Sequence, residues 1–227
     1  MIEYFNEDCL IGMARYPDKH FDLAIVDPPY GIGASNKAFM RKGKQTGKSL
    51  AVSGVSYSEK RWDNSTPTSD YFNELTRVSK DQIIWGGNYF AESLKNSSCW
   101  IVWDKQTGEN LYADCELAWT SFNTAVRKFE FMWKGMFQGD MKNKEIRIHP
   151  TQKPVALYKW LLTNYAKPGD KILDTHVGSA SSLVACHDLG FDAVGFELDE
   201  DYYNESKQRL ERFMKQITLF DISELER

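Results

Sequence analysis

The strongest constraint on the fold is a series of short apolar runs that end at prolines, glycines or acids and alternate with segments of helical spacing. Residues 22–26 form one such run, which stops at Asp27-Pro28-Pro29, and proline cannot continue a central strand ladder. Residues 171–174 and 193–197 form two more. Strands that alternate with helices predict an α/β fold with a mostly parallel sheet and helices on both faces. Ligands bind such sheets beyond the carboxyl ends of the strands.

The remaining elements follow from local patterns and from chain length. Helical spacing, or a proline in the first turn, predicts helices over residues 69–79, 154–165, 179–189 and 200–214. Stretches rich in β-branched and aromatic residues predict further strands over residues 82–85, 99–103, 115–120 and 127–133. A chain of 227 residues fits a single domain over 1–227.

Cysteine usage and hydropathy exclude several classes of protein. The four cysteines show no paired spacing, so we expect neither a disulfide framework nor a metal site. Such a chain suits a reducing, cytoplasmic location. No apolar run approaches the roughly 20 residues that a membrane-spanning helix needs.

Charge is unevenly distributed, although the formal net charge is only −4. Residues 31–61 contain seven basic residues, one acid and five glycines, which predicts a basic mobile loop within residues 31–66. Such a loop offers a positive surface to a polyanion, and a solvated loop without a partner is the alternative. The candidate polyanion contacts are Lys37, Arg41, Lys42, Lys44, Lys48 and Arg61.

The tetrapeptide Asp27-Pro28-Pro29-Tyr30 follows the strand at residues 22–26. The two prolines fix φ and provide carbonyl groups without a competing N–H. A carboxylate, a fixed carbonyl and an aromatic ring are thereby clustered at one strand end. This set suits a planar heterocycle with an amino group, whose two hydrogens the Asp27 carboxylate and the Pro28 carbonyl accept while Tyr30 stacks on the ring. A turn that only ends the strand is the structural alternative.

A second polar strand end lies at Asp174, where a loop of small residues follows. The next strand ends at Glu197. A small-residue loop lets a ligand approach the backbone, and an acid about 20 residues later is suited to a ribose diol. Gly178 is the only glycine in this loop, so the G-x-G-x-x-G dinucleotide pattern is missing. A tight turn with a surface glutamate explains the same residues.

Together these motifs resemble a known family. The tetrapeptide at Asp27, the stretch His149-Pro150-Thr151-Gln152-Lys153-Pro154 and the loop from Asp174 to Glu197 are similar to the amino-methyltransferases of DNA. The order, with the tetrapeptide ahead of the cofactor loop, resembles their circularly permuted β group, and the small size resembles phage-type members. The resemblance implies a Rossmann-like methyltransferase fold with S-adenosylmethionine as cofactor and methyl donor.

The family implies roles for further residues. Glu197 would hold the ribose hydroxyls, while Asp174 with the loop at Gly178 and Ser179 would hold the methionine end. Asp8 would lie near the adenine edge, although it also suits the first turn of a helix capped by Asn6. Lys153 would lie near the methionine carboxylate or the cofactor loop, or be a solvated cation. The family commonly has Asp-Pro-Phe-x-Gly-Ser-Gly-Thr at this loop, whereas this chain has Thr175, His176, Ala180 and Ser181.

The implied reaction is methyl transfer to the N6 amine of adenine in double-stranded DNA, by direct in-line displacement on a flipped base. Asp27, Pro28, Pro29 and Tyr30 would form the catalytic site, and residues 104–147 would read the target sequence. N4 methylation of cytosine is the nearest alternative, because it presents the same amino group. A non-catalytic DNA-binding protein that keeps the fold is another, and a nucleotide-dependent oxidoreductase a distant third. The resemblance leaves a homodimer and a cognate restriction nuclease open as partners.

Overall fold

The computed structural model describes residues 1–34, 60, 62–108, 113–134 and 137–216. Among these residues the strands are β1 (Ile2–Phe5), β2 (Phe21–Val26), β3 (Ser79–Trp85), β4 (Trp100–Asp104), β5 (Cys115–Thr120), β6 (Arg127–Glu130), β7 (Trp133–Lys134), β8 (Phe137–Gln138), β9 (Lys171–Asp174) and β10 (Asp192–Phe196). The helices are α1 (Cys9–Met13), α2 (Ser69–Val78), α3 (Val155–Tyr165), α4 (Ser181–Asp188) and α5 (Glu200–Met214), and a 3-10 turn spans Gly87–Tyr89.

Eight strands form one twisted sheet in the order β1-β10-β9-β2-β3-β5-β4-β6. Five of the pairings are parallel, whereas β5 runs antiparallel to both of its neighbours, β3 and β4. The strands β7 and β8 form a separate antiparallel pair. The prediction of a mostly parallel sheet is therefore confirmed, with one antiparallel strand that the pattern of alternating elements did not indicate.

The core lies on both faces of the sheet because successive strand residues point in opposite directions. In β2, Leu23 and Ile25 join one buried cluster while Ala24 and Val26 join the other. Residues of α3 and α4 complete the first cluster, and residues of α1 and α2 complete the second. The predicted helices on both faces are thus present, and they bury the central strands from both sides.

Some element boundaries differ from the predictions for local reasons. The helix expected from residue 179 begins at Ser181, because Ala180 has φ +61° and Gly178 has φ +54°, left-handed values that no right-handed helix accommodates. Pro154 is the N-cap of α3 rather than its first residue. The strand expected over 127–133 ends at Glu130, and Trp133 belongs to the small pair.

The sheet register brings the two polar strand ends together. Leu23 and Ala24 of β2 pair with Ile172 and Leu173 of β9, and β9 pairs in turn with β10. Because all three strands are parallel, Asp27, Asp174 and Glu197 follow strand ends at the same edge of the sheet. The central strands therefore place the site at the edge where the sequence predicts it.

Two further predictions concern other parts of the chain. The segment 104–147, predicted to read a target sequence, contributes β5 and β6 to the main sheet, and its recognition role stays a prediction. Within the described residues, no helix has the length and apolar character needed to cross a membrane.

Candidate active site

A cavity of about 190 Å³ lies at the carboxyl ends of β2, β9 and β10. Asp27 and Pro29 line it beyond β2, and Glu197 and Leu198 line it beyond β10. Because β9 lies between these two strands, the two pairs form opposite ends of the cavity. The remaining lining comes from three stretches and three single positions: Glu7, Asp8, Cys9, Thr175, His176, Val177, Gly178, Ser179, Thr151, Gln152, Lys153, His149, Trp62 and Tyr158. Residues far apart in sequence thus enclose one space between the two predicted functional ends.

Asp27 is held from two sides at the end of β2. The Tyr30 hydroxyl donates to Oδ1 at 2.5 Å, and the Lys153 ammonium donates to Oδ2 at 2.5 Å. Burial raises the pKa of Asp27, and the Lys153 ammonium opposes that rise. Each carboxylate oxygen keeps a further lone pair for another donor. Asp27 is thus a positioned, ion-paired acceptor beside the cavity.

The position of Lys153 differs from the one the family resemblance implies. Its side chain is 3% exposed, and its ammonium lies between Asp27 and Glu116, 2.9 Å from Glu116 Oε2. Burial alone lowers the pKa of Lys153, but the two carboxylates outweigh it and raise the pKa above its usual value. Lys153 is therefore held at the Asp27 end of the cavity, where two carboxylates compensate its charge. Its proximity to a methionine carboxylate stays a prediction.

Glu116 is a site residue that the sequence analysis missed. It lies on β5 and also forms an ion pair with Lys105. Burial alone raises the pKa of Glu116, but the ammonium groups of Lys153 and Lys105 lower it to about 2. A glutamate inside an otherwise apolar strand was the available signal, since an unpaired buried charge is costly.

Tyr30 makes contacts that differ from the expected stacking on a base. Its ring stacks on Tyr89 with centroids 4.9 Å apart and planes 15° apart. A Cβ at Gly86 would lie 2.2 Å from the Tyr30 ring, so glycine is required there for the ring to fit. Tyr89 is the outer member of the pair, 46% exposed. Through its hydroxyl, Tyr30 orients Asp27.

Asp63 fixes the backbone that follows the tetrapeptide. It is 1% exposed, and its carboxylate accepts hydrogen bonds from three backbone N–H groups, those of Tyr30, Gly31 and Ala34, at 2.7–2.9 Å. Three such bonds satisfy the buried carboxylate and the loop together. The sequence analysis did not identify Asp63, because its partners are 29 to 33 residues away along the chain.

At the opposite end of the cavity, Glu197 joins the cofactor loop to the end of β10. Glu197 Oε2 accepts from Gly178 N at 2.8 Å and Oε1 accepts from Asp199 N at 2.9 Å. Burial raises the pKa of Glu197, opposed by these backbone hydrogen bonds. Both oxygens keep acceptor capacity towards the cavity, as a ribose diol requires.

Asp174 forms hydrogen bonds to the loop that follows β9 and does not itself line the cavity. Its carboxylate accepts hydrogen bonds from the Ser182 hydroxyl at 2.5 Å and from His176 N at 3.0 Å. Burial raises the pKa of Asp174 to about 7. The family resemblance implies that Asp174, Gly178 and Ser179 hold the methionine end. Of these, Gly178 and Ser179 line the cavity, whereas Asp174 contacts the loop itself and fixes its shape.

Asp8 lines the cavity and also caps a helix. Its carboxylate accepts from the N–H groups of Leu10 and Ile11 at the start of α1, whereas Asn6 donates to the carbonyls of Glu197 and Leu198. The alternative of a helix capped by Asn6 is therefore wrong, because Asp8 is itself the N-cap and Asn6 ties the first strand to the end of β10. A position of Asp8 near the adenine edge of the cofactor stays a prediction.

Thr175 and His176, which depart from the family pattern, form a hydrogen-bonded chain with Tyr71. The Tyr71 hydroxyl lies 2.7 Å from Thr175 Oγ1, which lies 2.9 Å from His176 Nδ1. Because the buried Tyr71 needs an acceptor, the chain runs from Tyr71 through Thr175 to Nδ1. Burial lowers the pKa of His176 to about 4, so the ring is neutral with its proton on Nε2.

Aromatic residues and a lysine cover the cavity near Glu197. The Trp62 ring packs on His149 with centroids 5.1 Å apart, and His149 packs on Tyr202. The buried Trp62 Nε1 has no hydrogen-bond partner. Lys60 donates to Asp201 at 2.6 Å and also pairs with Asp199. Trp62 thus borders the cavity with an unused donor.

The predicted polyanion contacts cannot be placed in this geometry. Lys37, Arg41, Lys42, Lys44, Lys48 and Arg61 all lie outside the described residues. Their role stays a prediction that rests on the sequence.

Comparisons with known proteins find similar sequences and a similar fold. Residues 104–208 match the family model described as DNA methylase, of the N6/N4 type. The chain is 26% identical over 230 residues to the putative methylase YubD of Escherichia coli K12, covering 92% of this chain and 90% of that protein.

Solved structures share the architecture at low sequence identity. The M1.HpyAVI–SAM complex has a TM-score of 0.53 at 19% identity, with 92% of this chain and 100% of that chain covered. The cytosine-N4-specific PvuII DNA methyltransferase has a TM-score of 0.60 at 11% identity, with 94% and 90% covered. The fold is therefore that of the S-adenosylmethionine-dependent DNA methyltransferases.

The family match and the relatives support a more specific class. They show that this chain is similar to DNA methylases of the N6/N4 type over residues 104–208 and to a putative methylase over most of its length. The M1.HpyAVI structure that shares the fold is a complex with SAM. Membership of the circularly permuted β group and of the phage-type members stays a prediction.

Proposed function

We propose that this protein methylates the exocyclic N6 amine of adenine in DNA. The observation that carries the proposal is the Asp27 carboxylate, held by Lys153 and Tyr30 at one end of a cavity whose other end is Glu197. Aspartate at this position of the family tetrapeptide accompanies adenine, and serine accompanies cytosine. Neither the fold nor the family match separates the two bases, so the residue at position 27 supports adenine.

The chemistry required of Asp27 follows from the amine. The lone pair of an aromatic amine is delocalised into the ring, which makes it a poor nucleophile. Acceptance of its hydrogens by Asp27 and the Pro28 carbonyl favours a pyramidal nitrogen with a directed lone pair. The N–C bond would form as the methyl–sulfur bond of the donor breaks and its electron pair stays on sulfur. The methylated nitrogen would then be acidic, and Asp27 would take its proton and pass it to solvent. Positioning and electrostatics therefore supply most of the rate.

The donor set fits S-adenosylmethionine at the opposite end. The Glu197 carboxylate provides acceptors for ribose hydroxyls, and the unpartnered Trp62 Nε1 and the His176 Nε2–H provide donors. Gly178 has φ +54°, a left-handed conformation that glycine adopts without strain. When bound, S-adenosylmethionine supplies an electrophilic methyl group carried on a sulfonium sulfur.

DNA contacts complete the proposal. A target base inside a duplex must be flipped out to reach Asp27. Tyr30 and Tyr89 form a stacked pair beside Asp27, and the exposed Tyr89 provides a ring on which a base can stack, worth roughly 1–3 kcal/mol. The basic residues between 31 and 61 are proposed to contact phosphates.

Product analysis decides between adenine and cytosine. DNA is treated with the purified protein and S-adenosylmethionine, digested to nucleosides, and separated by mass. We expect N6-methyl-2′-deoxyadenosine as the methylated nucleoside. N4-methylcytosine would instead establish the alternative, for which the PvuII enzyme is a structural neighbour. Absence of any methylated nucleoside, together with no thermal shift on addition of S-adenosylmethionine, would favour a non-catalytic DNA-binding protein.

Replacement of Glu197 by glutamine tests the cofactor end. Glutamine keeps only one acceptor, and its amide group faces the N–H of either Gly178 or Asp199, two donors that Glu197 now satisfies. We expect a loss of about 10- to 100-fold in affinity for S-adenosylmethionine, measured by titration calorimetry. Glu200→Gln, on the exposed first turn of α5, is the matched control. Equal affinities for both variants would remove Glu197 from the binding site.

A further inference from the structure

We propose that Glu116 is a positioning residue for methyl transfer, acting through Lys153 on Asp27. The inference rests on the proposed function, and it assigns a catalytic task to a strand in the segment predicted to read DNA. Glu116 belongs to β5, where it pairs with Trp103 of β4. It has no direct contact with Asp27, so its effect passes through the shared lysine.

The geometry is a row of alternating charges. Along the row, Lys105 pairs with Glu116, Glu116 lies 2.9 Å from the Lys153 ammonium, and that ammonium lies 2.5 Å from Asp27. Lys153 is 3% exposed, whereas the other three side chains are 16–23% exposed. Water therefore screens Lys153 least, so its charge acts most strongly on the two carboxylates beside it.

The division of one ammonium between two carboxylates sets the acceptor strength of Asp27. With Glu116 in place, the Lys153 charge is shared between two carboxylates and neutralises Asp27 only in part. Without it, Asp27 would be the one carboxylate that Lys153 neutralises, and Asp27 would bind the hydrogens of an amine less strongly. Glu116 thus keeps Asp27 available as an acceptor for an amine.

A purely structural ion pair would stabilise the fold without this electrostatic effect, and the pH dependence separates the two. The titratable and charged groups that act on Asp27, directly or by charge, are Lys153, Glu116, Tyr30, Tyr71, Tyr158 and Asp174. The Glu116 charge raises the pKa of Asp27. Its removal lowers that pKa, so the acidic limb of the kcat profile moves to lower pH.

Two substitutions in the row are expected to move the acidic limb of the kcat profile in opposite directions. In Glu116→Gln we expect kcat on the plateau to fall about tenfold, KM to change less than about twofold, and the acidic limb to move at least about half a pH unit down. In Lys105→Gln a positive charge is lost, so the limb moves up. Lys105 is the member of the row farthest from Asp27. The Lys105→Gln variant therefore tests the electrostatic effect even if Glu116→Gln folds poorly.

The remaining variants complete the experiment. Glu116→Asp keeps the charge and is expected to return the limb towards its wild-type position, while Glu211→Gln at the exposed end of α5 leaves the profile unchanged. An active wild-type enzyme whose acidic limb is the same in Glu116→Gln and Lys105→Gln would overturn the role of Glu116 alone. An inactive wild-type protein in the same assay would overturn the proposed function, and this inference with it.

Discussion

Asp27→Asn is expected to lower the rate of methyl transfer at least about 1,000-fold, within the range attributed to a positioned acid or base. Asparagine keeps the shape but presents an amide N–H₂ to Lys153 or Tyr30, both of which now donate to Asp27. It also offers no anion to take the proton that the methylated amine releases. Asp27→Ala is expected to have the same outcome.

Single-turnover transfer of a labelled methyl group measures this effect, and titration calorimetry reports whether the donor still binds. We expect S-adenosylmethionine affinity within about threefold of wild type, because Asp27 and Glu197 form opposite ends of the cavity. Asp22→Asn is the matched control, since Asp22 lies at the other end of β2, paired with Lys80. A rate within tenfold of wild type for Asp27→Asn would refute the proposed role.

Asp63→Ala is expected to lower the free energy of unfolding by about 2–4 kcal/mol, because it leaves three backbone donors without an acceptor. Two of these belong to Tyr30 and Gly31, so the loop after the tetrapeptide loses its anchor. Tyr30 would then no longer hold its hydroxyl on Asp27, and we expect kcat to fall at least about tenfold.

Urea denaturation gives the stability change, and the methyl-transfer assay gives kcat under conditions where the variant is folded. Asp70→Ala, at the exposed first turn of α2, is the control and is expected to cost at most about 0.5–1 kcal/mol. If Asp63→Ala matched that control in both measurements, Asp63 would have no part in shaping the site.

Much of the architecture could be predicted because local patterns determine it. The run at residues 22–26 is too apolar for a surface strand, and its end is fixed by two prolines. The antiparallel direction of β5 could not be predicted, since strand direction depends on how the connections pack against the sheet. The late start of α4, at Ser181 instead of residue 179, depends on left-handed backbone at Gly178 and Ala180, a conformation rare for alanine.

The sequence was enough to predict the carboxylates at the two ends of the cavity, but not the ion pairs and hydrogen bonds that hold them. Asp27 and Glu197 were identifiable because each carboxylate follows an apolar strand. Lys153 was assigned to the cofactor end, yet it pairs with Asp27 across 126 residues of sequence. Glu116 and Asp63 were missed, because a charged residue shows its partners only when distant segments are brought together.

The sequence by itself determined the strands, the helices and the carboxylates at the strand ends, because hydrophobic periodicity and proline act over a few residues. Only the tertiary structure decided which charged side chains form ion pairs or hydrogen bonds with each other. The pairing of Lys153 with Asp27 and Glu116, and of Asp63 with the loop after Tyr30, depends on segments far apart in the chain. Burial makes an unpaired charge costly, and so the folded core selects partners that no local pattern specifies.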